Sequence, residues 1–231
     1  MNEWSVSLMH QHHTPGRSAG RALLRFAAIG ACAWSGCRNV PAEDVSREAK
    51  ARWHALWDGR TLHGWHVIGS GEWKIEDGAI HGTHSSVDQE FGHLVTDSEF
   101  TDFAVRLKYK ASKGNSGLYF RIEEAGYSGV SGFQAEIDPA HDAGGLYETN
   151  GRAWVSQPTP EQVMSWYKPN EWNEMTVSAK GREITVTVNG RTSAELNNDP
   201  GRTSGRIALQ VHAGQDCDVW FKDIEISAVA R

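Results

Sequence analysis

The chain has 231 residues, 39% of them hydrophobic and 24 of them glycine, which is enough for one large all-β domain with a tail. Its formal net charge is −6, and no cluster of lysines and arginines occurs in the body of the chain, so a nucleic-acid partner is not expected. Ten tryptophans are many for this length, and their rings suit either a protein core or the C–H faces of a sugar.

Residues 1–37 have the composition of an export signal. Several arginines precede an apolar stretch, residues 26–37, that is rich in small residues and shorter than a membrane-spanning helix. The small residues before Cys32 and before Cys37 resemble a bacterial lipoprotein cleavage box, so one of these cysteines is expected to carry a lipid that attaches the protein to a membrane. We therefore expect an exported protein, periplasmic or membrane-anchored. A disordered or wrongly started N-terminus is the alternative.

A polar linker is expected at residues 38–52, where Pro41 lies, and a single folded domain at residues 53–231. If a leader cysteine is acylated, Cys217 is the one cysteine certain to belong to the folded domain. The domain is therefore expected to fold without an internal disulfide framework.

The first clear elements of the domain are short strands. Residues 73–75 and 79–81 are predicted to form a hairpin, because Asp77 and Gly78 between them accept the positive φ angles of a tight turn. Residues 103–110 alternate apolar and polar side chains and are predicted to form one long strand.

Residues 117–147 are predicted to form two strands and a loop around which the domain is organised. Side chains of successive strand residues point to opposite faces, so each strand has a core face and a polar face. The predicted core faces consist of Leu118, Phe120 and Ile122, and of Phe133, Ala135 and Ile137. The predicted polar faces consist of Tyr119, Arg121 and Glu123, and of Gln134, Glu136 and Asp138. The polar faces indicate either a binding site or an ordinary half-exposed sheet with cross-strand ion pairs.

A loop with one helical turn near residues 161–166 is predicted over residues 148–169, and four more strands follow. These strands are predicted at residues 172–179, 183–188, 205–212 and 218–227. Many short alternating strands without helical periodicity are typical of a β-sandwich or jelly roll. The strand 205–212 places Gln210 and His212 on its polar face, where the imidazole suits proton transfer or a structural hydrogen bond.

An ordered series of motifs resembles the 3-keto-disaccharide hydrolase family over nearly the whole expected domain. The motifs are LWDGRTLHGW (56–65), WKIEDG (73–78), NSG (115–117) with Arg121, QAEID (134–138), GLYE (145–148), EWN (171–173), VNG (188–190) and GRIALQVH (205–212). Each piece alone is weak, whereas the series in this order is specific. The resemblance implies a concanavalin-like jelly roll whose concave sheet binds sugar, in exported bacterial proteins that cleave glycosides oxidised at C3.

The resemblance also places the site residues. The family's polar pattern falls on Asn115, Arg121, Glu136, Asp138, Glu148 and His212. Beside them, the side chains expected to contact a small carbohydrate substrate are Asn115, Tyr119, Gln134, Tyr147, Glu148 and Gln210.

A C3 ketone acidifies the proton at C2, so a base can form an enediolate, the aglycone can leave from C1, and water can then add. This chemistry requires a base, an electrophile at the C3 oxygen and an acid for the leaving oxygen. We hypothesise that Glu136 or His212 is the base. Arg121 is then expected to stabilise the oxyanion, and Asp138 to orient or protonate the substrate.

A metal ion is an alternative electrophile. The oxygen and imidazole ligands that Mn²⁺ or Ca²⁺ accept would come from Glu136, Asp138, Glu148 and His212. The sequence contains no compact metal-binding motif to support this set.

Two other classes of function use the same fold. Glu136-Ile137-Asp138 resembles the start of a laminarinase-like glycosidase signature, but Pro139 follows without the second glutamate that a retaining mechanism needs, so this class is disfavoured. A lectin-like module that binds sugar without turnover remains the alternative, because the fold does not decide between binding and catalysis.

Overall fold

The computed structural model describes residues 52–139 and 141–228. The predicted export signal, its two cysteines and nearly all of the predicted linker lie outside these residues. Within the described part, fifteen strands form two antiparallel sheets packed face to face, and one helix lies between β10 and β11 in the chain. The prediction of a jelly-roll β-sandwich is confirmed.

The elements differ in length from two to twelve residues. In chain order they are β1 (His54–Ala55), β2 (Trp65–Gly69), β3 (Glu72–Glu76), β4 (Ala79–His84), β5 (Gly92–Thr96), β6 (Phe103–Lys113), β7 (Ser116–Glu123), β8 (Ser131–Ile137), β9 (Leu146–Thr149), β10 (Ala153–Ser156), α1 (Pro160–Trp166), β11 (Asn173–Lys180), β12 (Glu183–Val188), β13 (Arg191–Leu196), β14 (Arg206–Val211) and β15 (Cys217–Ala228).

The eight-stranded sheet has the order β13-β12-β11-β6-β15-β4-β3, with β1 beside β15. The seven-stranded sheet has the order β10-β9-β8-β7-β14-β5-β2. The main hydrophobic core lies between the sheets and receives alternate residues from both, such as Val105 and Leu107 of β6 and Phe133 and Ala135 of β8. The opposite face of the seven-stranded sheet does not contribute to the main core and is therefore available for binding.

The predicted hairpin and the predicted helical turn are both present, whereas the predicted loop has a different start. Asp77 and Gly78 connect β3 to β4 with φ angles of 49° and 72°, as a tight hairpin turn requires. The predicted helical turn is α1, which begins with Thr159 as cap and packs Trp166 into the core. The predicted loop starts too early, because β9 continues to Thr149 and β10 follows it.

The seven-stranded sheet contains a bulge that changes which residues face the core. Arg121 adopts a left-handed φ of 52°, and the register between β7 and β8 shifts between Phe120 and Glu123. Phe120 therefore packs in the main core, whereas Ile122 packs beside Tyr119 in a second cluster on the other face. The prediction that Arg121 shares a face with Tyr119 is wrong, because simple alternation stops at the bulge.

No helix in the described ranges is long and apolar enough to cross a membrane.

Candidate active site on the seven-stranded sheet

A cleft of about 380 Å³ lies on the face of the seven-stranded sheet that is directed away from the main core. Its walls combine aromatic rings, side-chain amides, one carboxyl group and one imidazole. The lining residues are Phe91, Asn115, Tyr119, Tyr127, Ser128, Gln134, Glu136, Tyr147, Thr149, Asn150, Trp154, Gln210 and His212. This composition is typical of a pocket that positions a small polar ligand.

Strand register places several of these side chains in one row across the sheet. Tyr119 is opposite Gln134, which is opposite Tyr147, which is opposite Trp154. Side chains of directly opposed residues lie on the same face, so four strands contribute to one continuous floor. The rings of Tyr147 and Trp154 meet edge to face with their centroids 5.3 Å apart.

The floor includes one position without a side chain. A Cβ atom added to Gly117 would lie 2.6 Å from both Cγ and Nε2 of Gln134. The glycine therefore leaves the space in which the Gln134 amide lies. From there Gln134 Nε2 donates to Gln210 Oε1 over 3.3 Å.

The amides of Gln134 and Gln210 belong to a chain of hydrogen bonds that ends at Thr149 of β9. Gln210 Nε2 donates to the hydroxyl of Tyr119 over 3.0 Å, and this hydroxyl is 3.0 Å from Oγ1 of Thr149. Burial raises the pKa of Tyr119, so its phenol stays protonated. The chain fixes the orientation of each group before a ligand arrives.

Glu136 is the carboxyl group of the cleft, and it is only 5% exposed. Burial, opposed by a hydrogen bond from Asn115 Nδ2 and assisted by the negative charges of Asp138 and Asp142, raises its pKa to about 8. Most Glu136 side chains are therefore protonated at pH 7. A protonated carboxyl group can donate a hydrogen bond or a proton to a ligand.

His212 follows the end of β14 and projects beside Phe91, with the ring centroids 4.7 Å apart. Its Nδ1 lies 2.7 Å from the carbonyl oxygen of Ala213. Two groups lie against this nitrogen, the carbonyl of Ala213 at 2.7 Å and Nε2 of Gln215 at 3.3 Å, and we assign the ring hydrogen to Nδ1 because the shorter contact is to a carbonyl, which only accepts. In this tautomer Nε2 keeps its lone pair. His212 can thus accept a proton at Nε2.

Arg121 does not line the cleft, although the sequence analysis expected it there. Its side chain is 1% exposed and donates to the carbonyl oxygens of Thr101, Gly181 and Arg202, over 2.8 to 3.3 Å. The carboxylate of Asp102 lies 3.7 Å away. The bulge directs this guanidinium away from the cleft, and its hydrogen bonds connect three backbone segments.

Two of the predicted carboxylates also lie outside the cleft lining. Glu148 accepts hydrogen bonds from Arg152, which is also paired with Asp199 at 2.8 Å. Asp138 follows the last residue of β8 and lies 3.9 Å from His141. Among the residues described, no three His, Cys, Asp or Glu side chains are grouped so as to hold a metal ion. The four predicted ligands of Mn²⁺ or Ca²⁺ therefore do not form one set.

Of the predicted site residues, Asn115, Tyr119, Gln134, Glu136, Tyr147, Gln210 and His212 line the cleft together. The sequence analysis missed the residues contributed by loops, by the end of β9 and by β10. Tyr127 and Ser128 belong to a segment without periodicity, so no pattern could assign them to a face. Phe91 could have been found, because the fully buried β5 that follows it is a short apolar-rich run.

Comparison with known proteins gives the chain a family. Residues 52–227 match the family described as the 3-keto-alpha-glucoside-1,2-lyase-like domain. A 3-keto-disaccharide hydrolase of Bacteroides thetaiotaomicron is 33% identical over 78 residues, which make up 30% of this chain and 27% of that protein.

Two solved structures show the same fold at low sequence identity. One is a protein with a galectin-like fold from Bacillus subtilis, with a TM-score of 0.58, 14% identity, and coverage of 74% of this chain and 91% of that chain. The other is the carbohydrate-binding module CBM66 from Bacillus subtilis, with a TM-score of 0.56, 19% identity, and coverage of 71% of this chain and 96% of that chain.

Proposed function

This chain belongs to the 3-keto-alpha-glucoside-1,2-lyase-like family, and we propose that it cleaves 3-keto-disaccharides or related 3-keto-glycosides in the cleft of the seven-stranded sheet. The observation that carries this proposal is that one cleft contains both the buried Glu136, whose pKa is raised to about 8, and His212, whose Nε2 can accept a proton. An elimination reaction requires an acid and a base in the same pocket.

In the first step, Nε2 of His212 removes the C2 proton of the sugar. The electron pair of the C2–H bond forms a C2–C3 double bond, and the carbonyl electron pair moves to the C3 oxygen. When the C3 ketone forms again, the C2–C3 electron pair becomes the C1–C2 double bond and the bond from C1 to the aglycone oxygen breaks. Glu136 donates its proton to that departing oxygen. Water then adds across the double bond, with its hydroxyl at C1 and its hydrogen at C2, to give the free 3-keto sugar.

Negative charge on the C3 oxygen builds up while the C2 proton leaves. The predicted source of stabilisation, Arg121, faces away from the cleft, so this role falls to the amide groups of the floor. Asn115 uses one of its two amide hydrogens in a bond to Glu136, whereas Gln134 donates to both Ser116 and Gln210, so the free amide hydrogen of Asn115 is the donor assigned to the C3 oxygen. Preoriented donors of this kind are effective in a site that excludes water.

The test is incubation of the purified protein with 3-keto-trehalose, 3-keto-lactose and the unoxidised parent sugars, with released sugars followed by chromatography. We expect release from the keto sugars alone. In D₂O, elimination and rehydration place deuterium at C2 of the product within the time of one turnover, and the same 3-keto product incubated alone with the protein measures how fast C2 exchanges after release. Parallel reactions with EDTA and with added Mn²⁺ test separately whether a metal is required.

Sugar binding without turnover is the second candidate. The rings of Phe91, Tyr147 and Trp154 beside the amide chain favour it, because such a surface binds a sugar without a titrating base. Detectable binding of trehalose or 3-keto-trehalose, with no release of product from any keto sugar, would support this module in place of the enzyme.

Export and lipid attachment remain proposals that rest on residues 1–37 alone. Labelled palmitate should be incorporated into the expressed protein if either leader cysteine is acylated. Loss of the label in Cys32→Ser or in Cys37→Ser would identify the modified residue, and an unlabelled protein would contradict the proposal.

A further inference from the structure

The positions of the base and the acid give the cleft a direction. His212, which removes the C2 proton, follows β14, whereas Glu136, which protonates the leaving oxygen, lies in β8, with β7 between the two strands. Opposite Glu136, β7 contributes only Gly117, so no side chain of that residue separates the acid from β14. The bond from C1 to the leaving oxygen therefore points from β14 towards β8, and the aglycone continues over β9 and β10.

The indole of Trp154 lies on this side of the acid. The backbone N–H of Glu136 donates to the carbonyl oxygen of Gly145 over 2.9 Å, so Gly145 is the residue beside Glu136 on the segment that leads into β9. A Cβ atom placed on Gly145 would lie 2.8 Å from Cζ3 of Trp154. The glycine therefore leaves the space in which the indole lies next to the acid.

Neighbouring groups hold the indole at the wall of the cleft. The Cβ position of Gly145 would also lie 2.9 Å from Cδ of Pro158, so the proline ring packs at the same glycine. Tyr147 meets the indole at an interplanar angle of 89°. Trp154 is half-buried and lines the cleft. Its strand, β10, is the edge strand of the sheet as described, so no further strand of that sheet limits a ligand that extends past the indole.

We propose that Trp154 is the platform for the aglycone and that this subsite selects 3-keto-glycosides whose leaving group is a second sugar ring. The inference rests on the proposed function, because the base and the acid define its direction. An indole suits the apolar C–H face of a pyranose, whereas a methyl aglycone is too small to cover it. Trp154 contacts the leaving group away from the reacting atoms, so it contributes equally to binding of the substrate and of the transition state.

The test compares two substrates in wild type and in Trp154→Ala. Methyl 3-keto-glucoside has no second ring, whereas 3-keto-trehalose has one. We expect KM for 3-keto-trehalose to rise about tenfold in Trp154→Ala with kcat unchanged, because a contact made equally in both states is lost. Both constants for the methyl glycoside should stay the same. Trp154→Phe keeps an aromatic ring and should restore most of the lost affinity.

Trp220→Ala is the matched control. Trp220 is also half-buried, but it lies on the outer face of the eight-stranded sheet, where its ring stacks on His81 with the centroids 3.7 Å apart. Removal of this indole should leave the kinetics on both substrates unchanged.

An unchanged KM for 3-keto-trehalose in Trp154→Ala, or an equal loss on both substrates, would overturn the inference and leave the proposed function standing. Absence of turnover of both substrates by the wild type would overturn the proposed function and this inference with it. Inhibition of the wild type serves if Trp154→Ala does not fold. Trehalose should inhibit turnover of methyl 3-keto-glucoside at about one-tenth of the concentration that methyl glucoside requires. Equal potency of the two sugars, or no inhibition by trehalose, would contradict the subsite.

Discussion

Glu136→Gln should make the protein more stable while it removes catalysis. The folded pKa of about 8 exceeds the ordinary value of 4.5, so the unfolded chain loses this proton at a lower pH than the folded protein does. The wild type therefore loses stability as pH rises from 4.5 to about 8, at about 1.4 kcal/mol per pH unit. Gln stays neutral and can still accept the hydrogen bond from Asn115.

The expected gain from Glu136→Gln is near zero at pH 4.5 and on the order of 3 kcal/mol at pH 7, with an upper bound of roughly 5 kcal/mol above pH 8. Urea unfolding of both proteins at pH 5, 6, 7 and 8 measures the difference, and other titrating groups cancel in the comparison. Parallel stability curves for the two proteins over this range would refute the assignment of a raised pKa to Glu136. On 3-keto-trehalose, kcat should fall by about 10²-fold or more if this group is the acid.

Three further outcomes follow from the same geometry. With wild type, kcat should decline above about pH 8, where Glu136 loses its proton, whereas a rise through pH 8 would make Glu136 the base. Arg121→Met should lower the free energy of unfolding by about 3–5 kcal/mol, because three buried carbonyl groups lose their donor, and kcat measured on the folded fraction should not change. In Gly117→Ala the new methyl group displaces the Gln134 amide, so KM should rise about tenfold with a melting temperature within a few degrees of wild type, and an unchanged KM would remove the amide from the site.

Much of this site could be predicted from alternation in single strands. Gln134 and Glu136 share a face of β8, and Gln210 and His212 share a face at β14, because successive strand residues point to opposite sides. The ordered series of motifs indicated that those strands belong to one domain. Neither signal required knowledge of which strands are neighbours.

The rest of the site depends on contacts between segments that are distant in sequence. Arg121 continues the alternation perfectly in sequence, yet its left-handed φ reverses the faces of β7. The bulge at Arg121 requires glycine at positions 132 and 205. A Cβ atom on Gly132 or Gly205 would lie 2.8 Å or less from the Arg121 backbone. Glycines in strands indicate a bulge or a close backbone approach, but they do not identify the residue that bulges.

The same bulge shapes residues 124–130, which we call the cover segment because its Gly129 lies against the imidazole of the buried His93. Because Arg121 is the extra residue of the bulge, Ile122 faces away from the main core and packs in the second cluster with Val95 and Val130. Val130 is the buried end of the cover segment, so the bulge provides the apolar surface on which this end is seated. One backbone irregularity thus places a guanidinium in the sandwich, where it binds three carbonyl groups, and anchors the cover over His93. Arg121→Met should therefore also loosen the cover segment, and hydrogen exchange of the Val130 amide should be faster than in wild type.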